Sequence, residues 1–82
     1  MNDIKVDKHL DIRGEVCPYT LVKSKLAVEN IEVGQLLEII LDYPEAASSV
    51  PKAMLNYGHS VIKVEKINPK EWIIHVRKEV ED

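Results

Sequence analysis

The residue best suited to chemistry in this sequence is Cys17, the single cysteine among 82 residues. Pro18 follows it directly, and the residue before a proline is pushed toward extended backbone geometry. Proline itself suits the first turn of a helix, where its missing N–H costs no hydrogen bond. We therefore expect Cys17 at the N-cap of a helix, where unpaired N–H groups and the positive end of the helix dipole favour the thiolate. The sequence predicts one activated sulfur.

The groups that would help this sulfur in multistep catalysis are missing from the pattern. A cysteine hydrolase needs a general base, usually histidine, and a group that orients the base. His9, His59 and His75 are far apart in the sequence, and we expect each at the surface, without the spacing of a metal site. No second cysteine is available for an intramolecular disulfide. A lone activated thiol favours covalent carriage of a group, such as a persulfide, over multistep catalysis.

Basic residues near Cys17 are candidates for docking a partner protein. Arg13 lies shortly before the cysteine, and Lys23 and Lys25 lie in the second turn of the predicted helix. They would add positive potential close to the sulfur or bind acidic groups of a partner. The alternative is a solvated helix face, because exposed charges contribute little individually. Asp42, at a second strand-to-helix junction, is interpreted as a helix cap.

The hydrophobic pattern changes period along the chain and predicts six elements in the order βαβαββ. Alternation predicts strands, and apolar residues three and four apart predict helices. The predicted strands cover residues 6–12, 36–41, 61–67 and 72–77, and the helices cover 18–30 and 44–57. The strand at 36–41 is apolar over much of both faces, which indicates an interior position.

Each predicted helix has an apolar stripe expected to face the core. In the first helix the stripe consists of Leu21, Val22, Leu26 and Val28. In the second helix it consists of Ala46, Val50, Ala53, Met54 and Tyr57. Pro51 interrupts the second helix, which we expect to kink there or to start properly at Ser48 or Ser49.

These elements predict an α+β fold, a two-layer α/β sandwich. A four-stranded mixed sheet is covered on one face by the two helices, and the first βαβ unit has a right-handed crossover. Residues 1–82 form a single domain whose core spans about 6–78, because a second core would have too little chain. The acidic tail, residues 79–82, is expected to fray.

Composition narrows the partners and the compartment. The net charge of −3 argues against nucleic acid as the main partner, because phosphate binding needs a basic surplus. No apolar stretch approaches membrane-spanning length, and the N-terminal run has no apolar signal segment. A usable free thiol fits a reducing compartment, so we expect a cytoplasmic protein without a membrane partner.

The segment Leu10–Pro18 reads Leu-Asp-Ile-Arg-Gly-Glu-Val-Cys-Pro and resembles the signature of the TusA/SirA-like sulfur-carrier family. The resemblance runs from about His9 to Lys78, nearly the whole chain. Each further match is short, but together they are specific. They are Lys23 and Lys25, Gly34, Asp42-Tyr43-Pro44, Val50-Pro51 and Gly58-His59.

The resemblance implies the same βαβαββ sandwich and a persulfide borne by Cys17, with no other cofactor. It implies a sulfur donor, a cysteine desulfurase or a rhodanese-like protein, and a separate acceptor protein. Destinations in the family include tRNA thiolation, molybdenum-cofactor biosynthesis and dissimilatory sulfur oxidation. Such a protein is a sulfurtransferase-type carrier rather than an enzyme that turns over alone. The supporting motif residues are Arg13, Gly14, Glu15, Pro18 and Thr20.

One position departs from the family motif, which is Cys-Pro-x-Pro, because Thr20 stands in place of the second proline. A proline there would lie in the first turn of the helix, where it is tolerated, so threonine keeps the helix. Thr20 restores one backbone N–H near the sulfur and adds a hydroxyl, which can tune the thiolate or the persulfide. The choice of pathway is left open by this change.

A second hypothesis is a non-catalytic regulatory or interaction module, in which Cys17 is structural or senses oxidation. The small sandwich also resembles the C-terminal, RNA-contacting domain of translation initiation factor 3, so the fold alone does not decide the function. The acidic net charge counts against direct RNA binding. A titration of the thiol separates the two hypotheses, because only the carrier requires a lowered thiol pKa.

Overall fold

A computed structural model describes residues 6–16 and 18–81 of the chain. Its elements follow the predicted order βαβαββ. Their bounds are β1 Lys8–Asp11, α1 Tyr19–Glu29, β2 Leu36–Leu41, α2 Ala46–Asn56, β3 Ser60–Asn68 and β4 Glu71–Arg77. The predicted α+β fold, with two helices and a four-stranded mixed sheet, is confirmed.

The strands lie in the order β1-β2-β4-β3, so β2 and β4 form the centre of the sheet and β1 and β3 its edges. β1 is parallel to β2, with Leu10 opposite Ile39. β4 runs antiparallel to both β2 and β3. Leu37, Ile39 and Leu41 of β2 are fully buried, which confirms the interior position predicted for this strand.

The core lies between the sheet and the helices and is aliphatic, in a chain with no phenylalanine and a single tryptophan. α2 contributes Ala46, Val50 and Met54, each with no exposed surface. They pack in one cluster with the inward residues of β2 and with Ile74 and Val76 of β4. Burial of one aliphatic side chain stabilises a fold by about 1.5–3 kcal/mol. α2 is therefore held by the apolar stripe predicted for it.

The ends of α2 differ from the prediction. The helix begins at Ala46, before the predicted alternatives Ser48 and Ser49, and it runs through Pro51 without ending there. Pro51 removes one backbone hydrogen bond, but the buried face on both sides of it keeps the helix continuous. Tyr57, expected in the buried stripe, follows the last residue of the helix and is exposed.

α1 buries only part of the stripe predicted for it: Val28 is in the core and Leu21 packs half-buried against it. Val22 and Leu26, expected in the core, are 51% and 54% exposed. α1 packs against α2 and β2, and short side chains at such contacts let the backbones approach closely at native packing density. The prediction is wrong for Val22 and Leu26, because hydrophobicity ranked the large aliphatic residues first, whereas the available space favours small side chains at most of the buried positions. The buried residues are Thr20, Ser24, Ala27 and Val28.

The C-terminal end of α1 is fixed by Lys78, which follows β4 and is only 3% exposed. Its ammonium donates to the carbonyl oxygens of Glu29 at 3.2 Å and of Ile31 at 2.8 Å. A cation suits this end of a helix, where carbonyl groups lack intrahelical partners and the helix dipole is negative. Lys78 thus joins the end of α1 to the segment that follows β4.

Candidate functional site

Because β1 and β2 are parallel, the loops that follow them lie at the same end of the sheet, where both strands finish. The cysteine loop (residues 12–18) leads to α1, and the second loop (residues 42–45) leads to α2. β4 begins at this end of the sheet, because Trp72 near its start pairs with Leu41 at the end of β2. The carboxyl ends of parallel strands are a common place for sites in α/β sheets. Cys17 itself lies outside the described residues.

The cysteine loop opens with a β-turn at residues 12–15. The N–H of Ile12 still bonds to β2, and the N–H of Glu15 closes the turn by donating to the carbonyl of Ile12 at 3.2 Å. Gly14 has a φ of 89°, whereas Arg13 has no positive φ. This combination is typical of a type II turn, whose third residue needs glycine. Gly14 thus forms the bend that leads into the cysteine loop.

Asp42 holds the cysteine loop and is not the helix cap that the sequence indicated. Its Oδ1 accepts a hydrogen bond from the N–H of Gly14 at 2.9 Å. The N-cap of α2 is Glu45, which makes no side-chain capping bond. Local sequence reasoning missed this contact because the two residues are 28 apart in the chain. The one available signal was an aspartate directly after an interior strand.

α1 begins at Tyr19, with Pro18 rather than Cys17 as its N-cap. The carbonyl of Val16 accepts from the N–H of Tyr19 at 2.8 Å and from the N–H of Thr20 at 3.2 Å. The sequence predicted free N–H groups in the first turn. The structure shows instead that these two N–H groups are hydrogen-bonded within the chain. The helix starts later because Pro18 has a φ of −91° and a ψ of 3°, outside the α-helical well.

Thr20, where the chain departs from the family motif, is fully buried on the inner face of α1. Its hydroxyl has no hydrogen-bond partner among the residues that the structure describes. The family's proline at this position would remove that buried hydroxyl and also the N–H that bonds to Val16. The two changes affect stability in opposite directions, because an unpaired buried hydroxyl is costly and a hydrogen bond is favourable.

Arg13 joins two acidic residues at the same end of the sheet, Asp11 and Glu71. Its guanidinium donates to both carboxylate oxygens of Asp11, at 3.0 and 2.7 Å, and lies 3.5 Å from Glu71. The hydrogen bonds from Arg13 hold the pKa of Asp11 at about 2. The hydrogen bonds to Asp11 raise the pKa of Arg13 above its usual value. The charge of Arg13 is thus balanced within the chain.

Lys23 and Lys25, the predicted docking charges, also form ion pairs within the chain. Nζ of Lys23 lies 2.6 Å from the carboxylate of Glu15 in the turn. Lys25 pairs with Glu29 and lies over the ring of Tyr57, 5.2 Å from its centroid. Exposed pairs of this kind are worth about 0–1 kcal/mol. Acidic groups of a partner can therefore replace these carboxylates at small cost.

An exposed apolar surface starts in the cysteine loop and continues along α1. We call it the α1 stripe, and its members are between 49% and 57% exposed. Residues three and four apart share one face of a helix. Aligned apolar side chains on a surface are typical of interaction sites. Sequence reasoning missed this surface because it assigned two of the residues to the core. The members of the α1 stripe are Val16, Tyr19, Val22 and Leu26.

The histidines make their hydrogen bonds elsewhere, and two of them are buried against expectation. His9 is exposed, but His59 and His75 are 3% and 6% exposed. Nδ1 of His9 lies 2.6 Å from Glu38, and Nε2 of His75 lies 3.1 Å from the other oxygen of that carboxylate. Nδ1 of His59 accepts the N–H of Glu79 at 3.1 Å. None of the described hydrogen bonds joins a histidine to the cysteine loop.

The His9–Glu38–His75 cluster crosses three neighbouring strands, on the sheet face opposite the helices. Burial alone would raise the pKa of Glu38, but hydrogen bonds with His75 and His9 outweigh burial and lower it. His75 is buried because it lies on the central strand β4 beside this carboxylate. In residues 6–16 and 18–81, no set of three or more potential ligands is arranged to hold a metal ion.

Comparison with known families agrees with this arrangement. A family model described as Sulfurtransferase TusA matches residues 8–78. A candidate sulfur carrier protein of Archaeoglobus fulgidus is 43% identical over 75 residues, which cover 92% of this chain and 85% of the relative. A candidate sulfur carrier protein of Thermotoga maritima is 39% identical over 77 residues, which cover 94% and 98% of the two chains.

A solved structure agrees in fold. The crystal structure of a SirA-like protein from Desulfitobacterium hafniense superimposes with a TM-score of 0.76 and 18% sequence identity, covering 89% of this chain and 99% of that one. At this identity the likeness concerns the fold alone. The family match and the curated relatives show that the chain belongs to the TusA/SirA-like sulfur-carrier family.

Proposed function

We propose that the chain accepts sulfane sulfur as a persulfide on Cys17 and passes it to a partner protein in a sulfur relay. The observation that supports this most is the frame around the cysteine: a hydrogen-bonded turn ends one residue before Val16, and the carbonyl of Val16 starts α1. A cysteine between two fixed backbone segments needs no further catalytic group in the chain to present its sulfur. The partner enzyme supplies the rest of the chemistry.

The transfer balances without an oxidant or a reductant. The Cys17 thiolate attacks the terminal sulfur of a donor persulfide, which forms a Cys17 S–S bond and releases the donor's thiolate. In the second step an acceptor thiolate attacks the terminal sulfur on Cys17, and the Cys17 thiolate leaves. One sulfur atom and its proton move in each step. The protein is restored after the second step, as a carrier requires.

The donor binds, in this proposal, on the α1 stripe beside the cysteine loop. The stripe offers apolar surface to a partner, and Val16, its first residue, precedes Cys17 directly. Lys23 and Lys25 lie beside the stripe and can exchange their internal carboxylates for those of a partner. The donor we propose is a cysteine desulfurase or a rhodanese-like protein with an apolar contact surface near its own persulfide.

We place this carrier in the reducing cytoplasm, because a free thiolate that exchanges sulfur must escape oxidation to a disulfide. In the described part of the chain, no helix reaches the length and apolar character that crossing a membrane takes.

The proposal is tested by incubating the protein with a cysteine desulfurase and cysteine, followed by intact-mass spectrometry. We expect one added sulfur on the wild type, removable by dithiothreitol, and none on Cys17→Ala. Circular dichroism checks that Cys17→Ala has the same fold as the wild type. If neither a desulfurase nor a small-molecule sulfane donor adds sulfur to the wild type, the carrier function is wrong. The interaction module with a structural or redox-sensing cysteine then becomes the better reading.

A further inference from the structure

We propose that Asp42 is a positioning residue of the sulfur site: its carboxylate fixes the turn from which the chain enters Cys17. The inference rests on the proposed function, because it takes Cys17 as the reacting group. The contact behind it is the hydrogen bond from the N–H of Gly14 to Oδ1 of Asp42, at 2.9 Å.

The geometry of the turn explains why this bond matters. In a type II turn the outer residues bond to each other, and the N–H of the third residue is left without a partner inside the turn. The other amides nearby are satisfied locally: that of Arg13 by the Asp11 carboxylate at 3.1 Å, and that of Glu15 by the carbonyl of Ile12. Among the amides of residues 13–15, only the N–H of Gly14 depends on a residue from a distant part of the chain.

Asp42 is well placed to act as a rigid anchor. It follows Leu41, which is fully buried and paired with Trp72 of the central strand β4. Its side chain is short, so little freedom remains between the sheet and the carboxylate. The ion pair between Lys23 and Glu15 joins the turn to α1, and its side chains are 48% and 32% exposed. A long exposed pair of this kind fixes a loop only weakly.

The position of this turn also fixes the start of α1. Glu15 leads directly to Val16, whose carbonyl accepts from the N–H groups of Tyr19 and Thr20. Cys17 follows Val16 in the chain. If the N–H of Gly14 loses its acceptor, the turn can rotate, and the backbone on the N-terminal side of Cys17 is no longer fixed. The reactivity of the thiol then changes although the hydrophobic core is untouched.

Two substitutions separate this hydrogen bond from the charge of Asp42. Asp42→Asn removes the charge but keeps a side-chain oxygen that accepts from Gly14, whereas Asp42→Ala removes both. Glu45→Ala is the matched control, because Glu45 is a carboxylate of the same loop that accepts from the hydroxyl of Tyr43 instead. Alkylation of Cys17 by iodoacetamide is followed from pH 5 to 10, together with thermal unfolding of each variant.

We expect Asp42→Ala to react about tenfold more slowly at neutral pH than Asp42→Asn, with a higher thiol pKa, since misplacing a reacting group by an ångström has effects of this order or larger. Glu45→Ala should match the wild type. All rates are measured well below the unfolding transition, so a general loss of stability cannot produce the difference. Equal rates for the Ala and Asn variants, or a Glu45→Ala variant as slow as Asp42→Ala, would overturn the proposal.

Alkylation requires no sulfur donor, so this test is independent of the carrier function. A wild type that takes up no sulfur contradicts the proposed function but leaves the role of Asp42 to the alkylation result. A wild type that takes up sulfur, combined with equal rates for the two Asp42 variants, contradicts the positioning role alone.

Discussion

The two helices lie on the same side of the sheet and have the same length, yet they bury different shares of their large apolar residues. α2 buries Val50 and Met54 completely and leaves one large aliphatic residue, Leu55, exposed. α1 buries Val28 beside threonine, serine and alanine, and it leaves the larger part of its aliphatic surface, at Val22 and Leu26, about half exposed. Apolar surface that stays in water forgoes about 25 cal/mol for each Å². α2 therefore supports the fold, and the outer surface of α1 is available for a partner.

The largest effect is expected from Met54→Ala in α2. Met54 has no exposed surface, and replacing a buried methionine by alanine lowers the free energy of unfolding by about 2–5 kcal/mol. The matched variant in the other helix is Leu26→Ala, whose exposed side chain should change the free energy of unfolding by about 0.5 kcal/mol at most. Urea unfolding measures both. If Leu26→Ala costs as much as Met54→Ala, the outer surface of α1 belongs to the core after all.

The next effect concerns sulfur transfer rather than stability. Leu26→Gln places a polar group in the middle of the α1 stripe, and we expect transfer from a cysteine desulfurase to slow about tenfold, as for a contact worth about 1.4 kcal/mol. Leu55→Gln is the control, because Leu55 is exposed to a similar extent, 58% against 54%. The rate is followed by mass spectrometry at a donor concentration below saturation. Equal rates for the two glutamine variants would show that the stripe does not contact the donor.

The smallest effect is expected on the inner face of α1. Ser24 is fully buried, and its hydroxyl has no hydrogen-bond partner among the described residues. Ser24→Ala should therefore raise the free energy of unfolding, by up to about 1 kcal/mol, because an unpaired buried hydroxyl is removed and alanine is the better helix former. Urea unfolding again provides the measurement. A loss of stability would reveal a partner for the hydroxyl and a less tolerant inner face.

Pattern predicted the parts of the fold in which hydrophobicity and packing agree. The bounds of β2 were predicted correctly because every residue of the strand except Glu38 is aliphatic and the strand lies inside the sheet. Val50 and Met54 were predicted correctly because α2 offers one apolar face. α1 offers two candidate faces, one with large aliphatic residues and one with small residues such as Ser24. Choosing between them requires the distance to the neighbouring elements, which no local pattern contains.

In the candidate site, too, some features could be predicted from the sequence and others could not. Gly14 and the Cys17–Pro18 pair are visible in the sequence because backbone geometry restricts the residue types there. The acceptor for the N–H of Gly14 is not visible, since Asp42 reaches it only through the parallel register of β1 and β2. The burial of His75 depends likewise on the strand order, which places it beside Glu38.

The edge strand β3 has a consequence for the behaviour of concentrated solutions. Among residues 6–16 and 18–81 it has a strand partner on one side only, and it exposes Ile62, Val64 and Ile67, each by about two fifths to one half. Its pairing with β4 shifts register twice, between Val61 and Lys63 and between Lys66 and Asn68. Irregular, lysine-bearing edges are poor templates for an added strand. The free edge is thereby protected against intermolecular strand addition and fibril growth, even though it is rich in aliphatic residues.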